Sequence, residues 1–282
     1  MDEKTSAMYE NIIRGSEGRV EMLNGLYGQI DEDIRLNRSR QGQLEYFITM
    51  NCIHRFLKDG DRILEIGAGT GRYSIALARE GFKVSAVELV ESNIDVLREN
   101  SKDLTNIDSY QGDALDLSRF PDDSFDATLL LGPMYHLYEA ADQHRAIDEA
   151  IRVTRPGGVI LTAFLSAHAI ICTNYLYDYC STVDGLRENF DSDYNVRHFP
   201  EQIFTGFDIC EFEELFAGKE TDYITTVAVD NVLEIAERRD DFTMTDEDFK
   251  AFAEYQLQIC EKREMLGNSS HLLYICKKRQ NM

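Results

Sequence analysis

From residue 62 onward, short apolar runs alternate with amphipathic stretches. Arg62–Ile66 is a compact aliphatic run ending at glycine and predicts a buried strand. A helix follows over Tyr73–Glu80, with Gly81 as its stop signal. Lys83–Val87 predicts a second strand, and Ser92 with Asp95 resembles a capping box for a helix running to about Asn100. Asp108–Gln111 predicts a third strand. Phe125–Leu131 is an apolar run but for Asp126 and Thr128, as expected of a parallel strand covered on both faces. The helix around Gln143–Thr154 buries Ile147 and Ile151, and Pro156-Gly157-Gly158 ends it before the strand Val159–Phe164. This rhythm predicts an α/β fold with a doubly wound, mostly parallel sheet.

The flanks differ. Residues 1–57 read as a helical extension broken by glycines. Leu44, Phe47, Ile48, Cys52, Ile53, Phe56 and Leu57 lie on one helical face leading to the first strand. The polar stretch Tyr27–Asp31 and Arg35–Arg38 fits either a solvated surface helix or a lid over a ligand. Between residues 166 and 218 the rhythm lapses into an aromatic-rich insertion, with Tyr175, Tyr177, Tyr179, Phe190, Tyr194, Phe199, Phe204 and Phe207, that reads as a cap on the open end of the sheet. Strand character returns at Tyr223–Val229, then a helix over Asp246–Arg263 with Thr245 as cap, then a last strand at His271–Cys276. A helix and a final strand with a short return suggest an antiparallel edge pair. No repeat or linker divides residues 58–282, which read as one domain carrying the cap.

Composition narrows the partners. The chain has 282 residues, 43% hydrophobic, enough for a proper core, and a formal net charge of −22. That charge opposes phosphate backbones and anionic lipid, so neither a nucleic acid nor a membrane is an expected partner. No stretch approaches a membrane span and the first residues form no secretory signal. The six cysteines (Cys52, Cys172, Cys180, Cys210, Cys260, Cys276) show no metal-finger spacing and read as buried reduced thiols of a cytoplasmic protein. The oligomeric state is not legible.

The candidate chemistry centres on Glu65-Ile66-Gly67-Ala68-Gly69-Thr70-Gly71. Glycines let the backbone approach a ligand closely, and the helix that follows offers unpaired N–H groups. Position 72 is Arg where a dinucleotide fingerprint has its third glycine, and no Gly-Lys-Ser/Thr marks a phosphate loop. Glu65 disfavours a pyrophosphate and suits a cationic ligand. Glu88 closes the second strand 21 residues after Gly67, where a carboxylate can accept from both ribose hydroxyls. Asp113, in Gln111-Gly112-Asp113-Ala114, suits an exocyclic adenine amine.

With Phe125-Asp126 and Arg155-Pro156-Gly157-Gly158, this order resembles the class I S-adenosyl-L-methionine-dependent methyltransferases, most strongly over residues 58–165. The resemblance implies a seven-stranded Rossmann-like sheet with an antiparallel last strand. It places Glu65, Gly67 and Gly69 along the methionine moiety, Glu88 on the ribose, and Asp113 with Ala114 on the adenine. Tyr27, Ala68, Leu89 and Leu131 complete the cofactor contacts it implies. Gly132-Pro133-Met134-Tyr135-His136-Leu137 departs from the Asp/Asn-Pro-Pro-Tyr/Phe motif of enzymes methylating base or glutamine amines. It is similar instead to the Gly-Pro-Leu-Tyr-His-Leu loop of a bacterial subgroup of small-molecule-type methyltransferases. The tail Ser269-Ser270-His271-Leu272-Leu273 is similar to that subgroup too.

The expected activity is therefore methyl transfer to an N, O, S or C atom of a small molecule. A protein or RNA methyltransferase, a non-catalytic S-adenosyl-L-methionine-binding module and an NAD-dependent oxidoreductase are the competing readings. His136 fits either a general base or a side chain that ties loop backbone together, and Tyr135 either a wall of the methyl-transfer channel or packing. His168 and His198 are weaker candidates. No metal-type His/Asp cluster is evident in the sequence.

Overall fold

The computed structural model describes residues 8, 11–12, 17–29, 39–177, 181–199 and 202–280; most of the expected lid stretch, 30–38, lies outside them, as does Tyr179. Helix α1 (Arg19–Tyr27) and helix α2 (Arg40–His54) precede the alternating core. Ser39 Oγ accepts from the N–H of Gly42 at 2.9 Å and so starts α2 a turn earlier than the apolar spacing indicates.

The core runs β1 (Arg62–Ile66), α3 (Arg72–Arg79), β2 (Lys83–Glu88), α4 (Glu91–Ser101), β3 (Ile107–Gln111), β4 (Phe125–Leu130), α5 (Ala140–Val153) and β5 (Thr154–Ser166). The remainder adds α6 (Ala167–Ile170), a π-helical segment (Ile171–Tyr177), α7 (Thr182–Asn189), β6 (Gly206–Phe207), α8 (Ile209–Glu214), β7 (Thr221–Ala228), α9 (Leu233–Glu237), α10 (Asp246–Ile259), α11 (Arg263–Leu266) and β8 (His271–Lys278). The sheet order is β3-β2-β1-β4-β5-β8-β7, and β8 lies antiparallel to both neighbours. The doubly wound, mostly parallel architecture with an antiparallel final strand is thus present.

Consecutive strand residues serve opposite faces. Leu64, Ile66, Leu130, Ile160 and Phe164 enter a core with Phe207 and Phe212, while Ile63, Leu129, Leu161 and Ile275 enter a core with Ile48, Leu77 and Ile53. Both faces being covered explains the continuous apolar runs.

Five details differ from the sequence expectations. The sheet gains an eighth strand, because β6 pairs with Leu165–Ser166 of β5. Gly206 permits that approach, since a Cβ there would lie 2.6 Å from Ala167 Cα. Ser92 does not cap α4: the helix opens at Glu91, and Glu88 Oε1 accepts from Val90 N–H at 2.8 Å. The predicted helix over Asp246–Arg263 is two helices, although Thr245 does cap the first with a capping box to Asp248. Strand pairing resumes at Thr154, and Arg155–Gly158 bulge out between the Phe125–Thr154 and Ala127–Val159 pairs. Of the cysteines, Cys52, Cys260 and Cys276 are buried free thiols, but Cys172 and Cys210 are exposed. Among the described residues no helix is long and apolar enough to cross a membrane.

Candidate active site

The chain leaves β1 towards β2 and β3 on one side, and from β4 it builds the sheet in the other direction. Open parallel sheets hold ligands in the crevice at such a reversal. Here the crevice is flanked by the glycine turn after β1 and the loop after β4. Gly67 and Gly69 have φ of +78° and +55°, in the left-handed region. A Cβ on Gly67 would lie 2.5 Å from Pro133 Cδ, so this glycine lets the two loops close on each other. A Cβ on Gly69 would meet nothing within 4 Å and would project into open space.

Glu88 holds this turn from the neighbouring strand. Its Oε2 accepts from Gly69 N–H at 2.8 Å while Oε1 fixes the start of α4. Each carboxylate oxygen can accept more than one hydrogen bond, so ribose hydroxyls remain compatible with these contacts. Asp113, one strand further on, accepts from Leu115 N–H at 3.1 Å and pairs with Arg19 of α1. Ala114 is buried beside it. Leu89 and Tyr27 pack with Leu26, Val90 and Tyr138, which seats α1 on the carboxyl end of the sheet. Leu131 donates its N–H to Ile66 O at 3.2 Å and lines the other side of the crevice. Ala68 donates to Val87 O at 3.0 Å. The donor and acceptor set along this crevice fits an adenosyl group.

Glu65 faces away from the turn into α3. It is buried, accepts from Ser74 Oγ, and desolvation pushes its pKa up to about 8. The Ser74 hydrogen bonds oppose that rise, and the Glu88 charge adds to it.

The loop after β4 carries His136 into the interior, where it is 5% exposed. Nδ1 donates to Ile203 O at 2.7 Å, which leaves Nε2 as the acceptor for Tyr27 Oη at 2.8 Å. Desolvation lowers its pKa to about 4, with the Arg19 charge contributing and the Ile203 hydrogen bond opposing. With both ring nitrogens engaged, His136 ties α1 to the insertion, and its geometry is that of the loop-tying reading. Tyr135, half-buried, lies edge-on between His136 and His271, with ring centroids 6.3 and 6.1 Å away. His168 is on the surface with Asp208, and His198 is held between Thr205 and Glu211. Asp126 and Arg155 pair at the amino end of the strands, away from the crevice.

A second group of side chains lies at the same end of the sheet, beyond Tyr135. Asp230, Glu234 and His271 place one possible ligand atom each within 4.8 Å of one another. The sequence expectation of no such cluster missed it, because Asp230 follows β7 while His271 opens β8, 41 residues later. Asp230 is fully buried and accepts from five donors: the Ser269 hydroxyl, Ser270 N–H, His271 N–H, His271 Nδ1–H and Gln41 Nε2. Its lone pairs are committed to these donors, and the group is arranged as a hydrogen-bonded Asp–His pair. Burial opposes ionisation of Asp230, but the His271 charge and these hydrogen bonds outweigh it and hold its pKa below the usual range. The His271 pKa rises to about 9: desolvation opposes the rise, and Glu45, Asp230 and Glu234 outweigh it.

Comparison with known proteins bears on this arrangement. Residues 63–158 match the family model described as a methyltransferase domain. The demethylmenaquinone methyltransferase of Clavibacter sepedonicus is 34% identical over 119 residues, which is 42% of this chain and 47% of that protein. The chain therefore spans about half the length of the curated relatives it matches. A methyltransferase structure from Methanosarcina mazei, titled as S-adenosylmethionine-dependent, superposes with a TM-score of 0.54 at 17% identity, covering 82% of this chain and 98% of that one. The geranyl diphosphate C-methyltransferase of Streptomyces coelicolor, solved with S-adenosyl-L-homocysteine, gives 0.52 at 16% identity over 84% and 78%. The fold is that of these methyltransferases.

Proposed function

We propose that this chain is an S-adenosyl-L-methionine-dependent methyltransferase acting on a small molecule. The observation that carries the reading is the Glu88 carboxylate pinned to Gly69 N–H at the point where the strand order reverses. When bound, the cofactor supplies a methyl group on a sulfonium sulfur. Glu88 would hold its ribose, Asp113 and Ala114 its adenine, and the Gly67–Gly69 turn its methionine end, while Glu65, expected there from the resemblance, is buried against Ser74 and supports the turn from behind. Leu89 and Leu131 supply apolar wall. Helix α1 and residues 166–218 act as the covers that exclude water, and alignment with exclusion of water supplies much of the rate of an in-line displacement.

His136 acts here as a positioning residue: its Nε2 keeps Tyr27, and so α1, against the crevice. The small-molecule class is supported by the curated relatives, which by name act on demethylmenaquinone, and by the net charge of −22. That charge disfavours a polyanionic acceptor. The family model spans residues 63–158, the cofactor side, and these relatives match less than half of this chain, so their acceptor is not carried over.

Calorimetric titration with S-adenosyl-L-methionine and S-adenosyl-L-homocysteine tests the reading. Saturable binding of both is expected, and no heat from either at high protein concentration would contradict it. Tight binding of NADH in their place would revive the oxidoreductase reading.

A further inference from the structure

The group around His271 is chemistry that cofactor binding does not use. Asp230 receives the Nδ1–H of His271 at 2.7 Å, which fixes the ring and its tautomer. Among the described residues Nε2 has no hydrogen-bond partner, and the side chain remains 19% exposed. His271 opens β8 opposite Leu165 of β5, on the crevice side of the sheet. Pro133, which abuts Gly67, opens the 3-10 turn Pro133–His136 that carries Tyr135, whose ring stands at 77° to the imidazole. His136 occupies the opposite side of Tyr135 with both of its nitrogens engaged.

Building on the methyltransferase reading above, we propose that the Asp230–His271 pair is the acceptor-side base of this site, and that the acceptor is a phenol-type hydroxyl. The acceptor oxygen forms a bond to the methyl carbon, and the carbon–sulfur bond breaks with its electron pair left on sulfur. With the His271 ring in its neutral form, the hydroxyl proton passes to Nε2, and Asp230 stabilises the resulting imidazolium. The proton is later released to solvent.

The surroundings select the acceptor class. The charged and titratable groups facing His271 are Asp230, Glu45 and Glu234, with Tyr135 and Gln41 beside them; Arg238 pairs with Glu234 at 2.8 Å. An amine acceptor in this negative field is held as ammonium, with no lone pair for attack. A carboxylate acceptor is already ionised and needs no base. An aliphatic alcohol is too weak an acid for an imidazole, whereas a phenol, with a pKa of about 10, lies close to the His271 value of about 9. The Tyr135 ring offers a flat wall for an aromatic acceptor. Asp230 is a positioning residue: it acts only through the imidazole.

The test uses wild type and His271→Gln with radiolabelled S-adenosyl-L-methionine and a panel of catechol, hydroquinone, 1-naphthol and 4-nitrophenol. A parallel panel of simple amines and carboxylic acids is run between pH 6 and 10. Wild type is expected to methylate at least one phenol, with kcat/KM rising through an apparent pKa near 9 as His271 loses its proton. His271→Gln is expected to lower kcat about 100-fold or more and to abolish that limb, with S-adenosyl-L-homocysteine affinity within about twofold of wild type. As a readout independent of turnover, 4-nitrophenol is added to the S-adenosyl-L-homocysteine complex. Wild type should shift its absorbance towards the ionised form, and His271→Gln should not. Asp230→Asn, if it folds, should move the limb towards the ordinary histidine range.

Unchanged turnover and absorbance in His271→Gln would overturn the proposal. So would methylation confined to amines or acids, or no methylation of any phenol by a wild type that binds the cofactor. A wild type that fails to bind S-adenosyl-L-homocysteine would instead count against the methyltransferase reading itself.

Discussion

Two histidines flank Tyr135, and the regions around them are built in opposite ways. His136 lies in an apolar setting with Arg19 as the charge that acts on it, so burial keeps the ring neutral down to a pKa of about 4. His271 is surrounded by Asp230, Glu45 and Glu234, and the same loss of water is outweighed, so it stays charged up to about 9. Burial pushes both rings towards the neutral form, and the surrounding carboxylates reverse that at His271 alone. The first region holds a cover in place, and the second presents a polar atom to the crevice.

The largest expected break in this contrast is Asp230→Ala. It leaves five donors and a charged imidazole without their acceptor, and a loss of about 3–5 kcal/mol in urea unfolding is expected. A loss below about 1 kcal/mol would show that the buried pair is not organised as described.

Next comes Glu88→Ala, which removes the acceptor of Gly69 and Val90 N–H as well as the ribose contact. S-adenosyl-L-homocysteine affinity should fall by about 1–3 kcal/mol in calorimetry. An unchanged Kd would place the ribose elsewhere.

The pH dependence of stability separates the two histidines more finely. The folded pKa of His136 is depressed, so between about 4 and 6.5 the unfolded chain binds its proton and the folded chain does not. Stability therefore rises with pH across that window. The folded pKa of His271 is raised, so its contribution is complete below 6.5 and is lost as pH rises through about 9. Denaturation of His136→Gln and His271→Gln across this range should flatten the lower and the upper slope respectively. Parallel slopes in both variants and wild type would contradict the assignment.

The smallest effect is expected for Glu65→Gln. The raised pKa of Glu65 means that stability present below pH 4.5 is lost as pH rises through about 8. The variant should match wild type in acid and melt a few degrees higher above pH 8. Equal melting across the range would show that Glu65 carries no such cost.

How much of this was legible in the chain depends on sequence separation. The glycine turn, Glu88 and Asp113 lie at successive strand ends, where period and spacing announce them. Strands β1, β4 and β5 could be read because burial on both faces writes largely apolar runs, whereas the edge strand β3, Ile107–Gln111, is half-exposed and carries no such run. What stayed hidden depends on tertiary contact. The strand Gly206–Phe207 is too short to carry a period, and it exists because Gly206 fits against Ala167. The start of α4 is set by Glu88 from the preceding strand rather than by Ser92. Nothing in the sequence around His136 reveals that Tyr27 and Ile203 will engage its two ring nitrogens. Gln41, Asp230 and His271 come together only because α2, the end of β7 and the start of β8 meet at one edge of the crevice. The one signal present was the run Ser269-Ser270-His271, whose hydroxyl, N–H groups and ring all converge on Asp230.

The most direct test of the central claim is a crystal structure of the complex with S-adenosyl-L-homocysteine. The ribose hydroxyls should lie within hydrogen-bond distance of Glu88, and the adenine amine should reach Asp113 beside Ala114, with the homocysteine end along Gly67–Gly69. Density for the adenosyl group anywhere other than the crevice between the β1 and β4 loops would contradict the account.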